Sequence, residues 1–352
     1  MTDRAHTKKL MIGGVAVGGG APVSVQSMCT TSTADADATL RQISALAAAG
    51  CDIVRLAVPD MDAARAISDI KARSPLPIVA DIHFDHRLAT EAAERGADAV
   101  RINPGNIGGA ENVAAVARVC AARRIPIRIG VNGGSLEKPL LEKYGHPTPE
   151  AMVESAREHL RLLHECGFYD AALSLKSSSA QLTVAANRLA AEEFDCPLHL
   201  GVTETGTAYN GVVRSAVGIG TLLMEGIGDT VRVSLTDDPV EEVRAGIAIL
   251  KAAGLRRGGV RLVSCPTCGR TRIDLISLAK DVERRLEGCG RDITVAVMGC
   301  VVNGPGEARE ADYGVAGGVG CGLLFKKGEI VRRVEESELA DALMELIDND
   351  KE

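Results

Sequence analysis

The sequence predicts an α/β protein, a (β/α)8 TIM barrel followed by a smaller α+β domain, and three observations carry that expectation. Apolar, β-branched segments alternate eight times with stretches of helical spacing between residues 21 and 253, the rhythm of parallel β-α units. Eight such units over roughly 230 residues suit a closed barrel better than an open doubly wound sheet, which usually has fewer strands. The rhythm stops at Arg256-Arg257-Gly258-Gly259, and a differently patterned stretch follows. The expected domains are therefore 1–256 and 257–352, consistent with a length of 352 residues that exceeds the usual single domain.

In chain order, 10–19 reads as a hairpin of two very short strands joined at Gly13-Gly14. The eight barrel strands are expected over 23–28, 53–58, 77–82, 98–103, 125–131, 170–176, 197–203 and 230–236. Helices are expected over 36–49, 60–73, 86–96, 111–123, 149–166, 179–193, 211–226 and 239–253. The longest insertion, 132–148, reads as a loop and a candidate lid. In the second domain a strand over 260–264 runs into the turn Cys265-Pro266-Thr267-Cys268. A helix over 272–287, a strand over 293–298, the Cys300 loop, a strand pair over 314–324 and a last helix over 336–347 complete it. So small a domain has a modest core, to which a bound metal would add stability.

Composition narrows the function. Apolar residues make up 46% and charged residues 25%, as in ordinary globular proteins. No apolar run is long enough for a membrane span, and the polar start, Met1 to Lys9, does not read as a signal peptide. Ten cysteines in that setting point to thiols and metal ligands in a reducing cytoplasm rather than to disulfides. A net charge of −7 and the absence of tryptophan weigh against a nucleic-acid binder that stacks bases. Any anionic ligand must then be attracted locally.

The polar residues on the strands supply that attraction. Side chains two apart on a strand share a face, which groups Asp81 with His83, Arg101 with Asn103, and Arg128 with Asn132. Ser174 pairs in the same way with Lys176, and Arg232 with Ser234. Arg55 interrupts the second apolar segment, and His199 and Glu204 lie on or just after the seventh. Barrel interiors are usually filled by apolar layers, yet five strands here carry Arg or Lys. One buried arginine is commonly a structural ion pair; five converging cations, against Asp81 and Glu204 as the evident acids, leave positive charge that an anion must complete. Guanidinium forks suit phosphate oxygens, so the barrel mouth reads as a site for a phosphate- or diphosphate-bearing substrate. Glu204 is either the acid–base carboxylate of that site or a neutraliser of Arg232 or Lys176.

The second candidate centre is formed by thiols. Cys265 and Cys268 sit in a C-x-x-C turn and Cys300 follows 32 positions later, a pattern that gathers sulfurs around one metal centre. Cys289, Cys321 and Glu307, the last after the turn Asn303-Gly304-Pro305-Gly306, all lie within chain reach of the fourth position. Iron–sulfur and zinc occupancy both fit this spacing, and a plain reduced C-x-x-C ending a strand is the bland alternative.

Read in order, PVSVQSM, CDIVRLAVPD, PIVADIHFD, VRINPGNIG, PIRIGVNGGSLE, SLKSS, EGIGDTVRVSLT, SCPTCGR and VMGCVVNGPGEA resemble one known family. It is the bacterial two-domain 4-hydroxy-3-methylbut-2-en-1-yl diphosphate synthases, iron–sulfur oxidoreductases of the non-mevalonate isoprenoid pathway. The resemblance spans about residues 22–318. It implies a [4Fe-4S] cluster held by Cys265, Cys268, Cys300 and Glu307 in the second domain. The implied substrate, 2-C-methyl-D-erythritol 2,4-cyclodiphosphate, is opened in the barrel by two electrons with loss of water. Arg55, Arg101, Arg128, Lys176 and Arg232 would hold the diphosphate, with Asn103, Asn132, Ser234 and His199 around it. Asp81 and His83 would orient it, and Glu204 would serve acid–base chemistry. The resemblance further implies flavodoxin or ferredoxin as electron donor and a homodimer in which the cluster domain of one chain caps the barrel of the other. A zinc-dependent barrel enzyme acting on a phosphorylated substrate is the rival expectation. A non-catalytic cluster carrier leaves the cationic mouth without a purpose.

Overall fold

Alternating apolar segments build the first of two units. The structure, a computed structural model, describes residues 4–103, 106–300 and 309–350. The chain divides into compact units Met1–Arg256 and Arg257–Glu352. In the first, a hairpin of β1 (Leu10–Ile12) and β2 (Val15–Val17) precedes eight parallel strands. These are β3 (Ser24–Met28), β4 (Ile53–Ala57), β5 (Ile78–Asp81), β6 (Ala99–Ile102), β7 (Ile127–Asn132), β8 (Ala171–Lys176), β9 (His199–Leu200) and β10 (Thr230–Val231). Their order, β8-β7-β6-β5-β4-β3-β10-β9, is closed by the parallel bridge Leu173–Leu198. The sheet is therefore a (β/α)8 barrel. Strands β9 and β10 are shorter than the sequence suggests, although the Arg232 amide still donates to Leu200 O at 2.9 Å.

The surrounding helices are α1 (Ala36–Ala48), α2 (Met61–Arg73), α3 (His86–Glu94), α4 (Ala110–Arg123), α5 (Lys138–Tyr144), α6 (Pro149–Glu165), α7 (Ala180–Glu193), α8 (Ala208–Met224) and α9 (Pro239–Ala252). Several begin where the sequence places an oxygen-bearing cap: Asp60, Thr148 and Ser179 accept the amides of Ala63, Ala151 and Leu182, satisfying donors that a helix start leaves open. Val54, Leu56, Val100, Ile129 and Leu173 belong to the large apolar core that the helices cover. Inside the barrel, Ile12 and Val17 of the hairpin pack on Ile53, Val79 and Ala99, an apolar floor. Two residues further along the same strands stand Arg55, Asp81 and Arg101. The 132–148 insertion is not the open loop expected. It contains α5, and Glu137 binds His159 at 2.9 Å while the Tyr144 hydroxyl donates to Glu154 at 2.6 Å, which fastens the segment to α6.

The second unit is a five-stranded sheet of β11 (Val260–Ser264), β12 (Ile293–Met298), β13 (Tyr313–Gly317), β14 (Cys321–Lys326) and β15 (Glu329–Glu335), in that spatial order. The first three strands are parallel and the last three antiparallel. Helices α10 (Leu275–Arg285) and α11 (Leu339–Asn349) bring Val282, Leu339 and Leu343 onto Val295, Val297 and Val315. β15 was missed in the sequence because its side chains are almost all exposed and its charged pattern reads as a loop, although such charge is usual on an edge strand. The parallel arrangement places the residues after β11 and β12, and hence Cys265, Cys268 and Cys300, at one end of this sheet.

Candidate functional site

Parallel registry converts the alternation of the sequence into a ring of charge. Asp81 lies beside Arg101, and Arg101 beside Arg128, across three adjacent strands; Asn132 lies beside Lys176. Asp81 is buried and pairs with Arg101 at 3.2 Å and Arg55 at 3.5 Å, with His83 Nε2 at 3.7 Å. Burial works to raise the Asp81 pKa, but Arg55, His83 and Arg101 outweigh it and hold the carboxyl well below its usual range. Arg55 also donates through Nε and Nη2 to the Met28 thioether, at 3.2 and 3.0 Å. Desolvation, opposed by Asp81 and reinforced by Arg232 and Arg101, brings the Arg55 pKa down to about 10.

Arg128, Lys176 and His199 are less well compensated. Arg128 is 5% exposed. Its Nη1 donates to Gln26 Oε1 at 2.8 Å, while Nε and Nη2 are buried with no partner among the described residues. Burial first, and then the neighbouring guanidinium groups, push the Arg128 and Lys176 pKa values well below their ordinary levels. His199 is fully buried and neither ring nitrogen has a partner among the described residues; burial and Lys176 hold the ring neutral. Donors left open in this way inside a cationic chamber are what an entering anion satisfies. Asn103 is buried, whereas Asn132 and Ser234 are half-buried at the strand ends, and His83 is exposed.

The structure corrects the expected charge count. Glu204 is exposed, occupies the left-handed region at φ 55° and forms no ion pair among the described residues. It is therefore not the acid that neutralises Arg232 or Lys176. That acid is Glu242 in the first turn of α9, 4% exposed, which pairs with Arg232 at 3.3 Å and accepts from Ser27 and the Leu235 amide. Sequence reasoning assigned it to an ordinary helix start, and a glutamate just after the last strand was the available signal. Two glycines were missed as well. An added Cβ at Gly130 would collide with the Arg101 guanidinium. One at Gly201 would lie 2.6 Å from both Lys176 Nζ and the Arg232 carbonyl. These glycines clear the space in which the cations lie.

In the second unit the thiol loops are tied to each other. The Gly299 amide donates to Cys265 Sγ at 3.3 Å and the Arg272 amide to Gly299 O at 3.0 Å, so the C-x-x-C turn and the start of the Cys300 loop are neighbours. Cys300 is buried, Cys265 half-buried and Cys268 exposed. The Arg270 amide and side chain stabilise the Cys268 thiolate and lower its pKa. Glu307, with the turn before it, lies outside the described residues. Among the described residues no three His, Cys, Asp or Glu side chains converge on one point to hold an ion. A multi-iron cluster takes one thiolate per iron and is tuned by N–H donors to sulfur, and the donors seen here fit it. Cys289 and Cys321 are half-buried, the latter accepting from Arg333 at 2.9 Å. Cys29, Cys51, Cys120 and Cys196 are buried, and Cys166 is exposed.

Comparison with known proteins identifies the family. The pattern of the GcpE TIM-barrel domain matches residues 7–247, and that of the GcpE protein C-terminal domain matches 261–349. A protein of Geobacter sulfurreducens named 4-hydroxy-3-methylbut-2-en-1-yl diphosphate synthase (flavodoxin) is 61% identical over 341 residues, 97% of either chain. One of the same name from Clostridium perfringens is 58% identical over 346 residues, covering 98% of this chain and 99% of that one. Among solved structures, the Yersinia pestis dihydropteroate synthase in its sulfonamide complex covers 70% of this chain and 100% of its own, with a TM-score of 0.52 at 12% identity. That likeness shows the barrel fold alone.

Proposed function

The chain belongs to the GcpE family, and from that membership we infer that it is an iron–sulfur oxidoreductase that opens and deoxygenates 2-C-methyl-D-erythritol 2,4-cyclodiphosphate. The product is 4-hydroxy-3-methylbut-2-enyl diphosphate; two electrons and two protons enter and one water leaves. Flavodoxin, part of the relatives' name, is the proposed electron donor. The observation that carries the reading is the barrel chamber, where Arg128 and Lys176 lie buried without an acidic partner among the described residues.

In this reading the diphosphate lies across Arg55, Arg101, Arg128, Lys176 and Arg232, and Asn103, Asn132 and Ser234 complete its hydrogen bonds. Asp81 fixes Arg55 and Arg101 in place, and Glu242 fixes Arg232, so the forks are oriented before the substrate arrives. His199, neutral beneath the cations, offers a donor or an acceptor. Glu204, exposed on the loop after β9, is the carboxyl group available for acid–base chemistry at the leaving oxygen. Cys265, Cys268 and Cys300, with Glu307 in the fourth position, would hold a [4Fe-4S] cluster. When bound, the cluster supplies electrons one at a time to the substrate.

The active unit is proposed to be a cytoplasmic homodimer, one protomer's C-terminal unit serving the partner's barrel. No helix among the described residues is long and apolar enough to cross a membrane, and none of the ten cysteines is in a disulfide. Mixing an Arg128→Met chain with a Cys300→Ser chain tests the dimer: activity returns in the mixed dimer only if sites form across chains.

The deciding experiment is anaerobic purification with iron, sulfide and zinc analysis, followed by assay of the cyclodiphosphate with reduced flavodoxin. About four irons and four sulfides per chain, with turnover, support the reading. A colourless protein with one tight zinc, from iron-replete cells, overturns it.

A further inference from the structure

Resting on the reading of the barrel as a diphosphate site, we propose that substrate binding draws one proton from solvent onto the Lys176 amine, which is uncharged before the anion arrives and an ammonium ion beneath it. Lys176 ends β8 and is 5% exposed. The charged and titratable groups facing it come from five other strands: Arg55 of β4, Arg101 of β6, Arg128 of β7, His199 of β9 and Arg232 just after β10. The acids of the same interior are committed elsewhere, Asp81 to Arg55 and Arg101, and Glu242 to Arg232. Lys176 forms no ion pair among the described residues. Its Nζ lies over Gly201, where an added Cβ would come within 2.6 Å, so the amine is set close against the backbone at the end of β8.

A buried site that is short of negative charge expels a proton from whichever cation gives one up most readily. Guanidinium groups keep theirs, whereas a buried lysine amine yields it. Burial, and then four arginines, act on Lys176 in that direction. The substrate reverses the balance. Each phosphorus of the cyclic diphosphate carries one ester oxygen, the shared anhydride oxygen and a single strongly acidic oxygen, so the ligand adds two negative charges and no proton that titrates near neutrality. The step is –NH2 + H+ → –NH3+, with the proton taken from buffer. Affinity then falls about tenfold per pH unit as pH rises between the free and bound Lys176 values.

Isothermal titration calorimetry of the anaerobic, cluster-loaded enzyme without reductant measures the proton directly, because no turnover follows binding. Titrations with the cyclodiphosphate at one pH, in non-phosphate buffers of different ionisation enthalpy, give the protons taken up as the slope of apparent heat against that enthalpy. The expected uptake is about one for the wild type. It falls to near zero for Lys176→Arg, whose side chain is charged throughout. A wild-type slope of zero with binding heat present overturns the inference and leaves the diphosphate reading standing. A slope of one that persists in Lys176→Arg assigns the proton to another group, His199 foremost, and also overturns it. Absence of binding overturns the reading of the site and the inference with it.

Discussion

Arg128 should be a residue whose removal makes the substrate-free barrel more stable. It is 5% exposed, holds one acceptor, Gln26 Oε1, at 2.8 Å, and leaves Nε and Nη2 without partners among the described residues. Each buried donor without a partner costs about 1–3 kcal/mol, and the charge faces Arg55, Arg101 and Arg232. Arg128→Met keeps most of the volume and removes both penalties. It leaves the Gln26 oxygen without its donor, a loss of about 1 kcal/mol. The net gain is about 2–4 kcal/mol, in line with replacing buried charge by apolar packing, and raises Tm by about 5–10 °C for a unit of this size. Binding moves the other way. Charge-assisted hydrogen bonds of about 1.5–3 kcal/mol each are lost, so kcat/KM falls about a hundredfold or more. Anaerobic calorimetric scans, with hydrogen exchange of β3–β10 peptides to read the barrel separately from the second unit, measure the first effect, and the flavodoxin-linked assay measures the second. A lower substrate-free Tm in Arg128→Met, with normal folding of the rest, would refute the claim that the chamber is strained toward an anion.

Three further variants probe the same logic. Asp81→Asn leaves two guanidinium groups without their buried acid and should cost the barrel about 3–5 kcal/mol, measured by urea unfolding near neutral pH. The folded Asp81 pKa is depressed, so its stabilisation is present above the unfolded value of about 3.9 and is lost as pH falls through the lower folded value; the variant's acid limb should be flatter than the wild type's. Gly201→Ala forces Lys176 or the Arg232 carbonyl to shift and should destabilise the barrel by about 1–3 kcal/mol while lowering kcat/KM more than tenfold; unchanged kinetics would show that this close approach is not used. Glu307→Cys should retain iron and sulfide yet lose turnover, because thiolate is a less labile ligand than carboxylate oxygen; full activity would remove Glu307 from the mechanism.

The barrel was legible because its signal is periodic and repeated. Apolar runs such as Ile53–Ala57 and Ile127–Asn132 mark strands buried on both faces, and their polar interruptions fall on one face by alternation alone. The limits have equally physical causes. Glu242 reaches Arg232 from a helix, and strand alternation says nothing about what a neighbouring helix points inward. Glu204 reads as an inward acid because it follows an apolar run, but at φ 55° the backbone turns there and the side chain faces solvent. α5 was hidden because it is only seven residues long, too short for a helical period to stand out, although Leu141 and Tyr144 pack on the core and Lys143 and Tyr144 bind Glu154 of α6. The C-x-x-C turn and the Cys300 loop stood out from spacing, whereas the choice among Cys289, Cys321 and Glu307 depends on loop geometry that spacing does not encode.

Stability and function are separated in this barrel by a step of two residues. Ile53, Val79 and Ala99 join Ile12 and Val17 in an apolar floor, and Arg55, Asp81 and Arg101 stand one side-chain repeat further along the same strands. A repeat of two along a strand keeps the face and advances the chain by about 7 Å, so the floor sets the positions of the charged layer without sharing its electrostatics. The floor and the covering helices carry the packing energy, which lets the chamber above hold more positive charge than its own acids neutralise. A change that relieves that charge should therefore stabilise the barrel and weaken binding together, while a change in the floor should lower stability and leave the affinity of the surviving folded fraction nearly intact. Val79→Ala, expected to cost about 1–3 kcal/mol with a KM within twofold of wild type, tests the second half of that separation. A tenfold rise in its KM would show that the two layers are coupled after all.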